Sequence, residues 1–195
     1  MNMFNKKSLT LIMMSTFAGA AFASNPAPQT EYFLGGDLGA RLSGSIESEY
    51  NGIKTEEDMS SSLVFGLHGG VILNQTHKLT LGYDYRGVSQ EGEGDDSQEV
   101  GTIYSKYDYM VPIADSLKWT VGGKLGYEML DADYDLSELD GVILGVQTGL
   151  DYRFNDWSVG TEAAYIYHTS DMEFEGDSVK IGDEVLLMTN LAYHF

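Results

Sequence analysis

The sequence predicts an all-β chain, a transmembrane antiparallel up-and-down barrel of eight strands over residues 31–195. Three observations lead there. Apolar and polar side chains alternate with period two in eight segments, each of about the length that crosses a bilayer as a tilted strand. The connections between them are short and long in turn. A leader of the secretory type stands in front.

The leader comes first in the chain. Lys6 and Lys7 make a basic start, residues 9–17 (LTLIMMSTF) a short apolar run, and Ala21-Phe22-Ala23 a small-x-small site. Cleavage between Ala23 and Ser24 is expected. The apolar run is too short to span a bilayer. Residues 1–23 are therefore read as a signal peptide, and 24–30 as a short lead-in. The leader holds two of the 11 bases and none of the 30 acids, so the mature chain is more acidic than the formal −19. That charge excludes nucleic acid as a partner, which wants a basic stripe. The lack of cysteine excludes a lipid-anchored lipoprotein, disulfides and thiolate metal sites. The 23 glycines, 13 tyrosines and 8 phenylalanines speak for ordered β structure rather than an acidic tail.

The first four segments, 32–43, 63–73, 78–86 and 103–111, alternate weakly. Phe33, Val64 and Ile72 fall on their polar parity, so the first hairpin is the least fixed in register. In the fifth, Leu117, Trp119, Val121, Leu125, Tyr127 and Met129 alternate with Lys118, Thr120, Gly122, Lys124, Gly126 and Glu128. The sixth, 142–154 (VILGVQTGLDYRF), is the most regular. The seventh sets Trp157, Val159, Ala163, Tyr165 and Tyr167 against Ser158, Gly160, Glu162 and His168. The eighth sets Val185, Leu187, Thr189, Leu191, Tyr193 and Phe195 against Glu184, Asn190, Ala192 and His194. Residues 74–77, 112–116 and 155–156 read as short turns; 45–61, 87–101, 131–141 and 169–183 read as long polar loops. All three prolines are expected outside the strands.

Parity alone leaves open whether the apolar face looks in, around a ligand as in a soluble barrel, or out. The polar face is rich in glycine, which suits a crowded interior. Its charges also nearly balance: Asp37, Asp84, Asp108, Glu128, Asp151 and Glu162 against Arg41, Arg86, Lys106, Lys124 and Arg153. A closed lumen needs that balance, because a buried unpaired ion costs several kcal/mol. The remaining acidity lies in loop stretches 47–58, 91–99, 131–140 and 171–184, which hold 21 acids and two lysines. The apolar face therefore looks at lipid, and the named charges form a luminal network. Aromatic residues gather toward both ends of the strands, as two interfacial belts would.

Short turns at one end and long loops at the other are the habit of bacterial outer-membrane barrels. The chain resembles the small members of that group, the OmpA-like transmembrane domain and the OmpX-like, porin-family barrels. The most specific element is the C-terminus, LMTNLAYHF. Leu191, Tyr193 and the terminal Phe195 look like the signal read by the outer-membrane assembly machinery. The resemblance implies the Gram-negative outer membrane, with lipid and lipopolysaccharide as surroundings.

One motif suggests chemistry. His168-Thr169-Ser170 resembles the His-x-Ser of lipid A 3-O-deacylases, in which a later carboxylate completes a triad. Glu184 or Asp183 would stand there, although this chain has Asp171 where that family has Asn. Gly35-Gly36-Asp37-Leu38-Gly39 superficially resembles a nucleotide loop but lies inside a strand. Residues 91–96 lack the order of a calcium-binding EF-hand loop, and four scattered histidines give no zinc spacing. The expectation is a non-enzymatic surface protein without cofactor or fixed metal site. Its acidic loops would serve envelope integrity or adhesion, meeting divalent cations or a basic partner, with Tyr50, Met59, Tyr134, Met172 and Phe174 as apolar contacts between the acids. The alternatives are a deacylase-like hydrolase using His168, Ser170 and Glu184, and a narrow pore.

Overall fold

A computed structural model describes residues 29–50, 53–59, 61–88, 98–131, 140–174 and 177–195. The expected signal peptide, its expected cleavage site at Ala21, Ala23 and Ser24, and the lead-in up to residue 28 lie outside the described residues, as do 89–97 and 132–139.

Among the described residues twelve strands follow one another: β1 (Thr30–Ser43), β2 (Ser45–Tyr50), β3 (Ile53–Asp58), β4 (Leu63–Leu73), β5 (His77–Val88), β6 (Gln98–Ala114), β7 (Leu117–Asp131), β8 (Gly141–Phe154), β9 (Trp157–His168), β10 (Asp171–Phe174), β11 (Asp177–Ile181) and β12 (Glu184–His194). Eight of them close into an antiparallel barrel in the order β1, β4, β5, β6, β7, β8, β9, β12, and β12 pairs back onto β1. Closure removes both edges, so the ladder can sit in a medium that offers no hydrogen bonds.

Side chains sort by parity. In β9, Trp157, Val159, Tyr165 and Tyr167 are exposed on the outer face, while Ser158, Ala164, Ile166 and His168 are buried inside. Phe33, Val64 and Ile72 obey the same parity and point inward. Phe33, Ile72, Met110 and Ala192 form an apolar floor near the short turns. Val64, Ile143, Ala164, Ile166, Leu186 and Met188 form a second apolar cluster nearer the loops. Phe33 fits because Gly70 is its partner across the ladder. A Cβ on Gly70 would come within 2.8 Å of the Phe33 ring.

Three tight turns join strands at one end. Asn74, Gln75 and Asn155 have φ near +55° (53, 57 and 53°), the left-handed region that tight hairpins need and that asparagine tolerates. Pro112, expected in a turn, lies inside β6, whose turn begins only at Asp115. Its missing N–H does no harm there. β5 pairs β6 only as far as Tyr109, and a bulge follows between Pro112 and Ala114.

The long connections differ more from expectation. Segments 45–61 and 169–183 are not merely polar loops, because each folds into a hairpin. The two hairpins join as a four-stranded antiparallel sheet, β10-β11-β2-β3. This blade rises from the wall where β1 meets β12. Gly44 separates β1 from β2, and Gly182 with Asp183 separates β11 from β12. Gly182 N–H bonds to Ser45 O at 2.7 Å, and Met59 N–H to Gly44 O at 2.9 Å. A side chain on either glycine would collide, with Ser45 at Gly182 and with Met59 Cε, 2.8 Å away, at Gly44.

Candidate functional site, a charged lumen between two mouths

Glycines on the inner face leave room for long ionised side chains, which the strands aim at one another across the barrel. In the middle layers Lys124 Nζ lies 2.7 Å from Asp84 Oδ2 and 3.9 Å from the centre of the Tyr104 ring. Lys106 Nζ reaches Glu162 at 2.7 Å, and Lys78 Nζ reaches Asp151 at 3.4 Å. Asp37 Oδ2 meets His68 Nδ1 at 2.6 Å, and Asp108 accepts from Gln147 Nε2 at 2.8 Å. The cavity left among these groups measures about 20 Å³, room for about one water.

The loop-end mouth is sealed by a denser cluster. Arg41 Nη1 lies 3.0 Å from Glu184 Oε1. Arg86 Nη2 lies 2.6 Å from Glu128 Oε1 and 2.9 Å from Glu184 Oε2. Thr102 bonds to both Arg86 and Glu128. His168 Nδ1 donates to Gly182 O at 2.9 Å, and its Nε2 faces Glu128 Oε2 at 3.0 Å. Glu184, counted above with the loop acids, is therefore a buried luminal group. Met59 is buried against this mouth and is not an exposed contact between acids.

This geometry bears on the His-x-Ser motif. Both ring nitrogens of His168 face other partners, while Ser170 rests over Gly141, where no side chain opposes it. Glu184 comes within 3.9 Å of His168 Nε2 but is held by two arginines. The two ring nitrogens of His168 are turned to Gly182 and Glu128, so this geometry lends the alternative Ser170–His168–Glu184 relay no support.

The short-turn mouth is the more open one. Arg153, read above as luminal, stands at this rim, one third exposed, with Nη1 2.5 Å from Glu31 Oε1. Glu31, His68 and Lys78 escaped the sequence reading, whereas His168 and Gln147 lie inward as their parity implies. For His68 and Lys78 the signal was present as inward parity in weakly alternating segments.

On the outer face the polarity reverses. Leu34 (64% exposed), Leu67 (72%) and Val146 (63%) lie bare, with Leu38, Leu81, Leu125, Leu144 and Leu191 in the same band. Aromatic rings rim it. Near the short turns Trp157 meets Tyr193 edge-on at 5.2 Å, and Phe195 stacks on both Tyr193 and Tyr32. Near the loops Phe65, Tyr83, Tyr165 and Tyr167 are exposed. So much contiguous apolar surface, aromatic-edged and backed by a charged interior, is the surface of a barrel that lives in lipid.

The fold is that of a small outer-membrane barrel. Among solved structures, Neisserial surface protein A superposes with a TM-score of 0.59 at 14% identity, over 84% of this chain and 97% of that one. The outer-membrane protein OprG from Pseudomonas aeruginosa gives 0.55 at 15%, over 86% and 97%. The outer-membrane protein AlkL gives 0.55 at 16%, over 90% and 95%. No family model and no curated protein sequence matches the chain. With its lipid-facing belt and closed antiparallel wall, the barrel belongs in the bacterial outer membrane.

Proposed function

We propose that the chain is a non-enzymatic surface protein that works through its acidic extracellular face. The barrel is the anchor; the blade and the remaining acidic loops meet divalent cations or a basic partner, in envelope integrity or adhesion. The observation that carries this reading is the blade itself. Cross-strand pairing puts Glu47 beside Glu56 and Ser45 beside Asp58, and β3 is exposed along its whole length. Like charges set side by side in a sheet repel one another unless a counter-charge joins them. Lys180 stands opposite Glu47 on its other side, and Lys54 lies 3.6 Å from Glu49 at 81% exposure, so two cations meet the larger number of acids on the blade. A sheet that holds its acids in register offers them together, with less ordering cost than a floppy loop.

The test replaces Glu47, Glu49, Glu56 and Glu57 with Gln in the full-length protein, in the outer membrane. The barrel should still fold, because these side chains lie beyond it. Calcium binding by calorimetry and attachment of whole cells to a polycationic surface should both fall, most strongly at low ionic strength. If both are unchanged at low salt, the acids only solvate the blade.

A further inference from the structure

The short-turn mouth holds chemistry for which the surface role has no use. Ser158, the second residue of β9, faces inward and is fully buried. Its Oγ lies 2.8 Å from His194 Nε2. The other ring nitrogen, Nδ1, lies 2.5 Å from Glu31 Oε1, close in distance though out of line with the N–H direction. The negative charge beside Nδ1 favours the tautomer that carries its proton there. Nε2 is then the acceptor, and the Ser158 hydroxyl donates to it. The three residues come from β1, β9 and β12, with β12 between the other two in the wall. Arg153, directly across the ladder from Ser158, grips the same Glu31 oxygen and fixes the carboxylate.

Serine, imidazole and carboxylate in that sequence make a hydroxyl nucleophilic. We propose that Ser158 is an activated serine and that this mouth is an acylation site, which takes the acyl group of a small activated ester. Ser158 Oγ bonds to the carbonyl carbon as its proton passes to His194 Nε2. The ester's alkoxide leaves and takes that proton from His194, departing as the alcohol. His194 is neutral again, and one acyl group remains on Ser158. The event is stoichiometric and goes beyond the surface role. Access is from the rim. Glu31 lines a cavity of about 330 Å³ together with Gln29, Thr30, Ile72, Gln75 and Phe195. The Glu31 side chain is 36% exposed and Phe195 70%. That volume admits a short acyl donor, and the rim must part to bring it to Oγ.

Full-length protein extracted from outer membranes in detergent is mixed with p-nitrophenyl acetate. The expected result is a burst of one p-nitrophenolate per folded chain, with peptide mass spectrometry placing the acetyl group on Ser158. Glu31→Gln should slow the burst at least about tenfold while the folded barrel's gel mobility stays unchanged. Ser158→Ala should abolish it; if that variant does not fold, the position of the acetyl group in the parent chain decides alone. Acetylation elsewhere but not on Ser158, or a burst indifferent to Glu31→Gln, overturns the proposal and leaves the cluster as a hydrogen-bonded closure. Continued release after the burst would support an activated Ser158 and overturn the non-enzymatic reading of the surface role instead.

Discussion

Arg86 and Glu184 meet at 2.9 Å although their strands are not neighbours: β4 and β1 stand between β5 and β12. The contact is therefore a strut across the bore and not a feature of the wall. Glu184 is shared with Arg41, so a single carboxylate ties together two buried guanidinium groups, one of which Glu128 also holds.

Removing that carboxylate should cost more than removing an ordinary ion pair. Glu184→Ala is expected to lower unfolding stability by about 3–5 kcal/mol, because it leaves two buried guanidinium groups short of one counter-charge. Glu184→Gln, which keeps volume and an acceptor oxygen, should fall between the two. Urea unfolding of the barrel in lipid vesicles measures both, and an unchanged midpoint for Glu184→Ala would deny the cluster a structural role.

The lumen should not conduct. Eight strands enclose an interior that side chains fill, and paired ions occupy what space there is. Planar-bilayer recordings of the folded protein are expected to show no large, stable step. A porin-sized conductance would contradict the packed interior described above.

Phe195 should be needed for assembly. Its backbone exchanges two hydrogen bonds with Tyr32, at 2.9 and 3.1 Å, and its ring stacks on Tyr32 at 6.2 Å. Deleting it removes the last rung of the β1–β12 seam and an interfacial anchor. Membrane fractionation should find less of the truncated chain in the outer membrane, and equal amounts would argue that the terminal aromatic is dispensable.

Gly70→Ala should destabilise the barrel by about 1–3 kcal/mol, the usual cost of overpacking. The added Cβ would press on the Leu79 carbonyl, which cannot move without disturbing the ladder, as well as on Phe33. Thermal unfolding followed by gel mobility reads the shift. A variant as stable as the parent would mean that the floor around Phe33 is loosely packed.

Much of this architecture was legible in the residues, since period two survives wherever one face meets lipid and the other meets ions. The strands with the sharpest alternation, β8 and β9, begin and end within one residue of expectation. Phe33, Val64 and Ile72 looked like errors only because a luminal face was assumed to be polar throughout. A narrow bore also needs apolar filler between its ion layers. The blade was hidden differently. SIESEY in β2 and DSVKI in β11 do alternate, but their acidity and position between barrel strands suggested plain loops, and their pairing joins segments that most of the barrel separates in sequence. The candidate site was least legible. That His194 lies against Ser158 follows from the packing of strands remote in sequence, and no short motif encodes it; the inward aim of His168 was carried by its parity.

The blade straddles the seam of the cylinder, so the two ends of the chain are joined twice over: once within the wall, where β1 meets β12, and once beyond it, where β2 meets β11. An opened seam would draw β2 and β11 apart, and the four-stranded sheet would part into its two hairpins.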